Sequence, residues 1–215
     1  MIEEYIEKLS DLLFNLNIRF AFGISGSGRS IKLINSLTKR GVKYINTHHE
    51  ASAAIMAGAV NRSSKTKAVS ISIKGPGLIN ALPGICFNNF ENIGVISISE
   101  EYDNPLESNK IHKRFDHKLA LEQFTSSIFS IDFLIKNIDI FHKEFNSNLN
   151  SPVHINLSNS NSFLRNTDTK FESDNLHEEI EELILNAKKP ILIFGARGLD
   201  ISKDFLKLIK NPFFI

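Results

Sequence analysis

Short apolar segments alternate with amphipathic ones along the first 157 residues of this 215-residue chain, and this alternation restricts the fold more than any other feature. The apolar segments are short and rich in Ile, Val, Phe and Ala, which is typical of strands. Between them, apolar residues recur at helical spacing. Strands that alternate with helices of this length predict an α/β fold, a doubly wound parallel sheet with helices on both faces. The predicted strands are 18–24, 42–46, 68–73, 93–99, 127–131 and 153–157, and the predicted helices are 2–16, 31–41, 49–62, 78–89 and 134–145.

The composition divides the chain into three regions. Residues 1–157 form the predicted domain, in which residues 100–119 are charged and aperiodic and are expected to form a loop. Residues 158–174 are rich in Asn, Ser, Thr and Asp, which indicates a linker. Residues 175–215 hold too few elements to bury a core, so we expect an incomplete second α/β domain. Its predicted elements are helices at 176–184 and up to 209 and strands at 191–194 and 212–215.

Charge and cysteine content narrow the class of protein. The formal net charge is +1 with both signs interspersed, which does not favour nucleic acid or an anionic membrane as a partner. The one cysteine, Cys86, has no partner for an internal disulfide. The acidic, amphipathic N-terminus does not resemble a signal peptide, and no apolar run has membrane-spanning length. We therefore expect a cytoplasmic protein.

A carboxylate stands at one predicted strand-to-helix junction. Glu50 follows the strand at 42–46 and falls in the first turn of a helix built from small residues up to Val60. Thr47 three residues earlier matches a capping box, in which Glu50 bonds back to a backbone N–H. A catalytic carboxyl is the other interpretation, and the two are not exclusive.

Two glycine segments also follow predicted strands. The segment Gly23–Ser30 nearly matches a phosphate-binding loop, but Arg29 stands where that loop has lysine, and the two side chains bind phosphate differently. A nucleoside triphosphate site and a plain glycine turn before a helix are the two interpretations from the residues alone. Likewise, Gly75–Pro76–Gly77 has the composition of a turn, and Pro83 further on predicts a late start or a kink in the following helix.

Three segments together resemble a known family. They are His49-Glu50-Ala51-Ser52-Ala53, then Gly58 to Arg62, and then Lys74-Gly75-Pro76-Gly77-Leu78-Ile79-Asn80-Ala81. They are similar to the N-terminal domain of thiamine-diphosphate enzymes of the acetolactate synthase type, in which the stretches read approximately HEQ-AAHMA-GYAR and SGPG-TNA at a similar interval. The resemblance extends into residues 175–215, which resemble the start of that family's central domain.

The resemblance implies a cofactor, thiamine diphosphate, and a catalytic role for Glu50. In the family this glutamate hydrogen-bonds the N1′ nitrogen of the aminopyrimidine, and the resulting imino tautomer removes the thiazolium C2 proton. The implied reaction is decarboxylation of a 2-oxo acid followed by carboligation or by release of an aldehyde, the work of a transferase or a lyase. The residues implied to contact the cofactor are Gly26, Glu50, Gly75, Pro76, Gly77 and Asn80.

Several residues depart from the family pattern. Ser25 and Ser27 interrupt its FGVPGG segment, Lys74 replaces a small hydroxyl residue, and Asp116 replaces glutamine after Phe115. His48 and His49 adjoin Glu50 and could move protons near neutral pH. The remaining histidines have no metal-ligand spacing, and we expect no metal site in this chain; they are His112, His117, His142, His154 and His177.

The family's motif for magnesium and diphosphate, Gly-Asp-Gly followed some thirty residues later by Asn, is absent from the sequence. The resemblance therefore implies that another domain or chain holds Mg²⁺ and the diphosphate, and that this chain alone is inactive. We expect a homo- or hetero-oligomer, since Phe213-Phe214-Ile215 is an apolar strand that favours association. FAD binding has only the weak Gly195-x-x-Gly198 pattern in its favour. The alternative is a non-catalytic remnant or subunit that only pairs with another chain.

Overall fold

The computed structural model describes residues 2–26, 28–103, 112–147 and 150–165, together with residue 186 and the backbone of 191–192 and 213–214. The chain divides into two compact units, Met1–Thr167 and Asp168–Ile215. Within the described residues, no helix is both long enough and apolar enough to cross a membrane.

A seven-stranded sheet forms the centre of the first unit. Its strand order is β2-β1-β3-β4-β6-β5-β7, and every neighbouring pair is parallel except β5 with β7. Consecutive parallel strands need helical crossovers, and these cover the sheet. The strands are β1 Ile18–Gly23, β2 Lys43–Asn46, β3 Lys67–Ser72, β4 Ile96–Glu100, β5 Ser127–Ser130, β6 Val153–Leu157 and β7 Phe163–Arg165.

Helices pack on both faces of this sheet, as predicted. Residues of α1, α2, α6 and α7 share one buried cluster with the sheet, whereas α3 and α4 contribute to two other clusters. Neighbouring residues of β1 show the two faces, because Ala21 belongs to the first cluster and Phe22 to the second. The helices are α1 Ile2–Asn15, α2 Arg29–Lys39, α3 Glu50–Ser63, α4 Pro76–Phe90, α5 His117–Leu121, α6 Ile131–Lys136 and α7 Ile138–Ser147.

The structure corrects several predicted boundaries. The stretch predicted as a linker contains β7, which pairs antiparallel with β5. The single helix predicted at 134–145 is two helices, because Asn137 between them leaves helical geometry and bonds back to Phe133. The strand predicted at 93–99 begins later, at Ile96, and α5 begins inside the loop predicted at 100–119.

The late start predicted for α4 is wrong. This helix begins at Pro76, in its first turn, where a missing N–H costs nothing, and continues through Pro83. Proline at that position leaves the carbonyl of Ile79 without its helical partner. The side chains of Ile79 and Pro83 are both exposed, so water can hydrogen-bond the carbonyl of Ile79 on the outer side of the helix.

Two short strands are described in the second unit. They are β8 Ile191–Leu192 and β9 Phe213–Phe214, and they pair in parallel. Both fall within predicted strands. The helices predicted at 176–184 and up to 209 lie outside the described residues.

Glycines let α3 and α4 approach each other closely. A Cβ at Gly84 would overlap the carbonyl oxygen of Ala51 and lie 2.8 Å from the Cβ of Ala54. A Cβ at Gly58 would overlap the side-chain oxygen of Asn88, whose amide donates to the carbonyl of Ala54 at 2.8 Å. Backbone atoms cannot move aside as side chains can, so these small residues fix the spacing of the two helices.

We expect Gly84→Ala to destabilise the protein. Alanine raises helix propensity by about 1 kcal/mol, but overlap with a backbone carbonyl in a packed interface costs more, so the net loss should be about 1–3 kcal/mol. The free energy of urea unfolding measures it. Asn80→Ala is the control, because it raises propensity on the exposed side of the same helix and should leave stability unchanged or higher. A Gly84→Ala protein as stable as the wild type would contradict the close approach.

Candidate functional site

Glu50 is the first residue of α3 and lies just beyond the carboxyl end of β2. Its side chain is buried, with 6% of its surface exposed. No hydrogen bond joins its carboxyl group to any of the described residues. A carboxyl group that belongs to a buried residue and has no partner among the described residues is a candidate for binding a ligand.

The capping-box interpretation of Glu50 is wrong. The N-cap of α3 is His49, whose Nδ1 accepts a hydrogen bond from the backbone of Ala51 at 3.2 Å. The backbone N–H of Thr47 instead donates to the carbonyl of Gly23 at 2.8 Å. Because the helix begins at Glu50 itself, this side chain cannot reach back to Thr47 as a third-position residue would.

The side chain of Ile73 lies between two of the predicted site segments, at Gly26 and at Gly77. A Cβ at Gly77 would lie 2.7 Å from Cγ1 of Ile73 and 3.5 Å from Oε1 of Glu50. A Cβ at Gly26 would overlap Cγ2 of the same isoleucine. The structure therefore brings Glu50, Gly26 and Gly77 to one place. Ile73 was missed in the sequence, where its only signal is an apolar residue two positions before the Gly75 turn.

The turn before α4 requires glycine at residue 75. Gly75 has φ +68°, and a Cβ there would overlap the carbonyl oxygen of Lys113. Pro76 follows as the first residue of α4. Asn80 is exposed further along that helix, so its contact with a cofactor stays a prediction.

Lys74 departs from the family pattern, and its positive charge is balanced by the carboxylate of Glu100. The ammonium nitrogen of Lys74 lies 3.9 Å from Oε2 of Glu100 and 4.6 Å from the ring centroid of Tyr102. Glu100 is 5% exposed, and its Oε1 accepts from the backbone N–H of Ser30 at 2.7 Å. A Cβ at Gly28 would lie 2.9 Å from this carboxylate.

The carboxylate of Glu100 occupies the place where a phosphate would bind at the N-terminus of α2. Arg29 is also engaged, since both its terminal nitrogens donate to Asp103 at 2.6 and 2.7 Å. The segment Gly23–Ser30 therefore supports a carboxylate of the chain rather than a nucleoside triphosphate.

The other departures have local structural roles. The backbone N–H of Ser25 donates to the side chain of Asn46 at 3.2 Å, while Ser27 lies outside the described residues. Asp116 caps α5 by accepting from the backbone of Leu119 at 3.0 Å. His48 is exposed. Among the described residues, no group of three or more His, Cys, Asp or Glu side chains could hold a metal ion.

A buried pair of histidines lies beside this site and was missed in the sequence. Oδ1 of Asn156 is 2.7 Å from Nδ1 of His117 and 3.0 Å from Nε2 of His154. Ser99 also contacts both rings, with its Oγ 3.0 Å from Nε2 of His154 and 3.4 Å from Nδ1 of His117. The available signal was two polar residues within the otherwise apolar strand Val153–Leu157.

Burial keeps both imidazoles neutral. An amide oxygen only accepts, so Nδ1 of His117 and Nε2 of His154 each carry the hydrogen. The pKa of His154 is lowered to about 3, mainly by burial and to a smaller extent by the nearby His117. Burial also lowers the pKa of His117. Nδ1 of His154 has no hydrogen-bond partner among the described residues.

Comparison with known proteins gives a consistent result. Residues 4–121 match the family described as thiamine pyrophosphate enzyme, N-terminal TPP binding domain. The chain is 30% identical over 99 residues to the catabolic acetolactate synthase of Raoultella terrigena. This alignment covers 46% of this chain and 18% of that protein. It is 32% identical over 79 residues to 2-hydroxyacyl-CoA lyase 2 of Danio rerio, covering 37% of this chain and 13% of that protein.

A longer match is to the acetolactate synthase large subunit of Buchnera aphidicola, at 27% identity over 207 residues. That alignment covers 85% of this chain and 35% of the relative. The chain thus spans only a minor part of the length of the relatives it matches.

We expect stability to fall as the pH is lowered through the buried histidines. The pKa of His154 is about 3 when folded against an ordinary value of 6.5, so the unfolded chain binds the extra proton between these values. This stabilisation is present above pH 6.5 and is lost as the pH falls toward 3, by up to about 1.4 kcal/mol per pH unit. The free energy of unfolding, measured with urea between pH 7 and pH 4.5, should therefore depend less steeply on pH in His154→Leu than in the wild type. His48→Gln removes an exposed histidine and should show the same dependence of stability on pH as the wild type. An equal pH dependence in His154→Leu and the wild type would refute the role of His154.

Proposed function

This chain belongs to the family of thiamine pyrophosphate enzymes, through their N-terminal TPP binding domain, and we propose that Glu50 activates the cofactor there. The observation that supports this most directly is that Glu50 is a buried residue whose carboxyl group no described residue hydrogen-bonds. A nitrogen of the aminopyrimidine ring is a suitable partner for such a carboxyl group. Bound cofactor would give Glu50 the hydrogen-bond partner that it lacks among the described residues.

The residues around Glu50 fit a flat aromatic ring. A Cβ at Gly77 would lie 3.5 Å from Oε1 of Glu50, so its absence leaves room beside this carboxyl group and keeps the Gly77 backbone accessible. Ile73 offers apolar surface between Gly26 and Gly77. When bound, thiamine diphosphate supplies a carbanion for breaking or forming a bond at a carbonyl carbon. In the proposed role, Glu50 holds a proton at its carboxyl group toward the N1′ ring nitrogen, and the glycines set the approach of the ring.

The substrate class we propose is a 2-oxo acid, which is decarboxylated and then either ligated to an acceptor or released as an aldehyde. Two relatives are named as a synthase and a lyase, and both outcomes are consistent with one cofactor chemistry. We propose that Mg²⁺ and the diphosphate are held by a separate domain or chain, since the sequence has no Gly-Asp-Gly…Asn motif. An oligomer would bring the two halves together.

The 215-residue chain alone should be inactive. With thiamine diphosphate and Mg²⁺ but no diphosphate-binding partner, we expect no consumption of pyruvate above the buffer control, because half of the cofactor lacks its binding groups. A coupled assay for carbon dioxide release measures this. Turnover by the purified chain would contradict the requirement for a partner.

Glu50→Gln is the test of the proposed role. In an assembly that includes the diphosphate-binding part, we expect exchange of the cofactor C2 hydrogen for deuterium to slow by roughly 10²–10⁴-fold, as for other lost acid–base groups. Stability should change by less than about 1 kcal/mol, because no hydrogen bond within the described chain is removed. Quenched-flow NMR measures the exchange, and thermal unfolding measures the stability.

Glu91→Gln is the matched control, because it makes the same chemical change on the surface of the protein. It should leave the exchange at the wild-type rate and lower the stability by at most about 1 kcal/mol, because it removes a surface ion pair with Arg62. Wild-type exchange in Glu50→Gln would end the catalytic interpretation and favour the non-catalytic subunit.

A further inference from the structure

A cavity of about 340 Å³ opens next to the Glu50 site. It shares a wall with the turn before α4: Lys74, which lines the cavity, directly precedes Gly75, and the carbonyl of Lys113, another lining residue, packs on Gly75. The turn itself continues to Gly77, where a Cβ would lie 3.5 Å from Oε1 of Glu50. A small ligand in the cavity would therefore lie beside the position proposed for the cofactor, and pockets of this size hold small molecules.

Cationic side chains outnumber carboxylates around the cavity. Lys74, Lys113, Arg114 and Lys118 line it, against Glu101 and Asp116. Lys74 is balanced by Glu100 at 3.9 Å. Lys113 and Lys118 are exposed and form no ion pair with a described residue.

Both carboxylates of the cavity also have hydrogen-bond partners within the chain. Asp116 caps α5 through the backbone of Leu119. Glu101 accepts a hydrogen bond from the hydroxyl of Ser158 at 3.0 Å, and burial raises its pKa. A concave site with excess positive charge raises the local concentration of anions.

His117 adds a neutral acceptor to this cationic cavity. It lines the cavity and lies against the ring of Phe115, with 4.7 Å between the ring centroids. Its Nδ1 donates to Asn156, so the other ring nitrogen, Nε2, has a lone pair and no hydrogen. No described residue donates to that nitrogen. A hydroxyl group can donate to Nε2, whereas a fully ionised carboxylate or sulfate has no hydrogen to donate.

We propose that this cavity binds a small organic anion that also carries a hydroxyl group, with the anion at Lys113 and Lys118 and the hydroxyl at Nε2 of His117. The inference names a substrate class for the proposed function and rests on it. Two cations alone would accept any small anion of suitable size. The neutral acceptor, held in one tautomer by Asn156, supplies the preference for a hydroxylated anion.

Hydroxypyruvate and pyruvate are the matched probes, because these 2-oxo acids differ by one hydroxyl group. We expect hydroxypyruvate to bind the full chain about tenfold more tightly, the effect of one net hydrogen bond. Titrations without thiamine diphosphate, followed by ¹H–¹⁵N NMR, measure both affinities. Equal affinities would overturn the role of His117, and no binding of either acid would overturn the site.

Variants separate the two parts of the site. His117→Phe keeps the aromatic ring beside Phe115 and should bind both acids with the same affinity. Lys118→Met should weaken both by the same factor, whereas Lys43→Met, on β2 and outside the cavity, should change neither. Wild-type discrimination in His117→Phe would contradict the proposal.

A second measurement needs no variant and so survives any failure of His117→Phe to fold. In the wild type, the ¹⁵N resonance of His117 Nε2 should move when hydroxypyruvate is added and stay in place with pyruvate. An unchanged resonance with hydroxypyruvate would refute the hydrogen bond. These experiments omit the cofactor. If they show no binding while Glu50→Gln still slows C2 exchange, the proposal for the cavity is rejected and the proposed role of Glu50 stands.

Discussion

The closeness of Gly26, Gly77 and the carboxyl group of Glu50 depends on the parallel arrangement of three strands. β2, β1 and β3 are neighbours in that order, so their carboxyl ends meet at one edge of the sheet. Gly26 follows β1, Glu50 follows β2 and Gly77 follows β3. Ligands of open α/β sheets bind at such edges. Residues from three separate parts of the chain converge because each follows a strand of the same direction.

Two buried glutamates at this edge show how context decides the role of a carboxylate. Glu100 is held by the backbone of Ser30 and lies near Lys74, so its charge is balanced within the domain. Glu50 has no such partner among the described residues. The lysine that departs from the family pattern is thus matched by a carboxylate of the same chain, Glu100.

Local sequence was enough to predict most strands and the position of Glu50, because both follow from short-range periodicity and from a junction between two elements. Contacts across long separations were not predictable. Ile73 belongs to the site only because Gly26, which is 47 residues earlier in the chain, lies against its side chain. The histidine pair needs β4 beside β6, a register that places Ser99 opposite Asn156. β7 was missed because three residues within a polar stretch carry too little pattern.

The histidine pair also shows why burial matters for the cavity. If His117 were charged, both its nitrogens would donate, and the cavity would hold one more cation and no imidazole acceptor. Burial prevents this by lowering the pKa of His117, although the hydrogen bond to Asn156 by itself favours the charged form. That hydrogen bond instead fixes the tautomer, because a neutral imidazole whose Nδ1 donates must present a lone pair at Nε2. Charge can then attract an anion while the fixed tautomer distinguishes among anions, and the two functions reside in different side chains of one cavity.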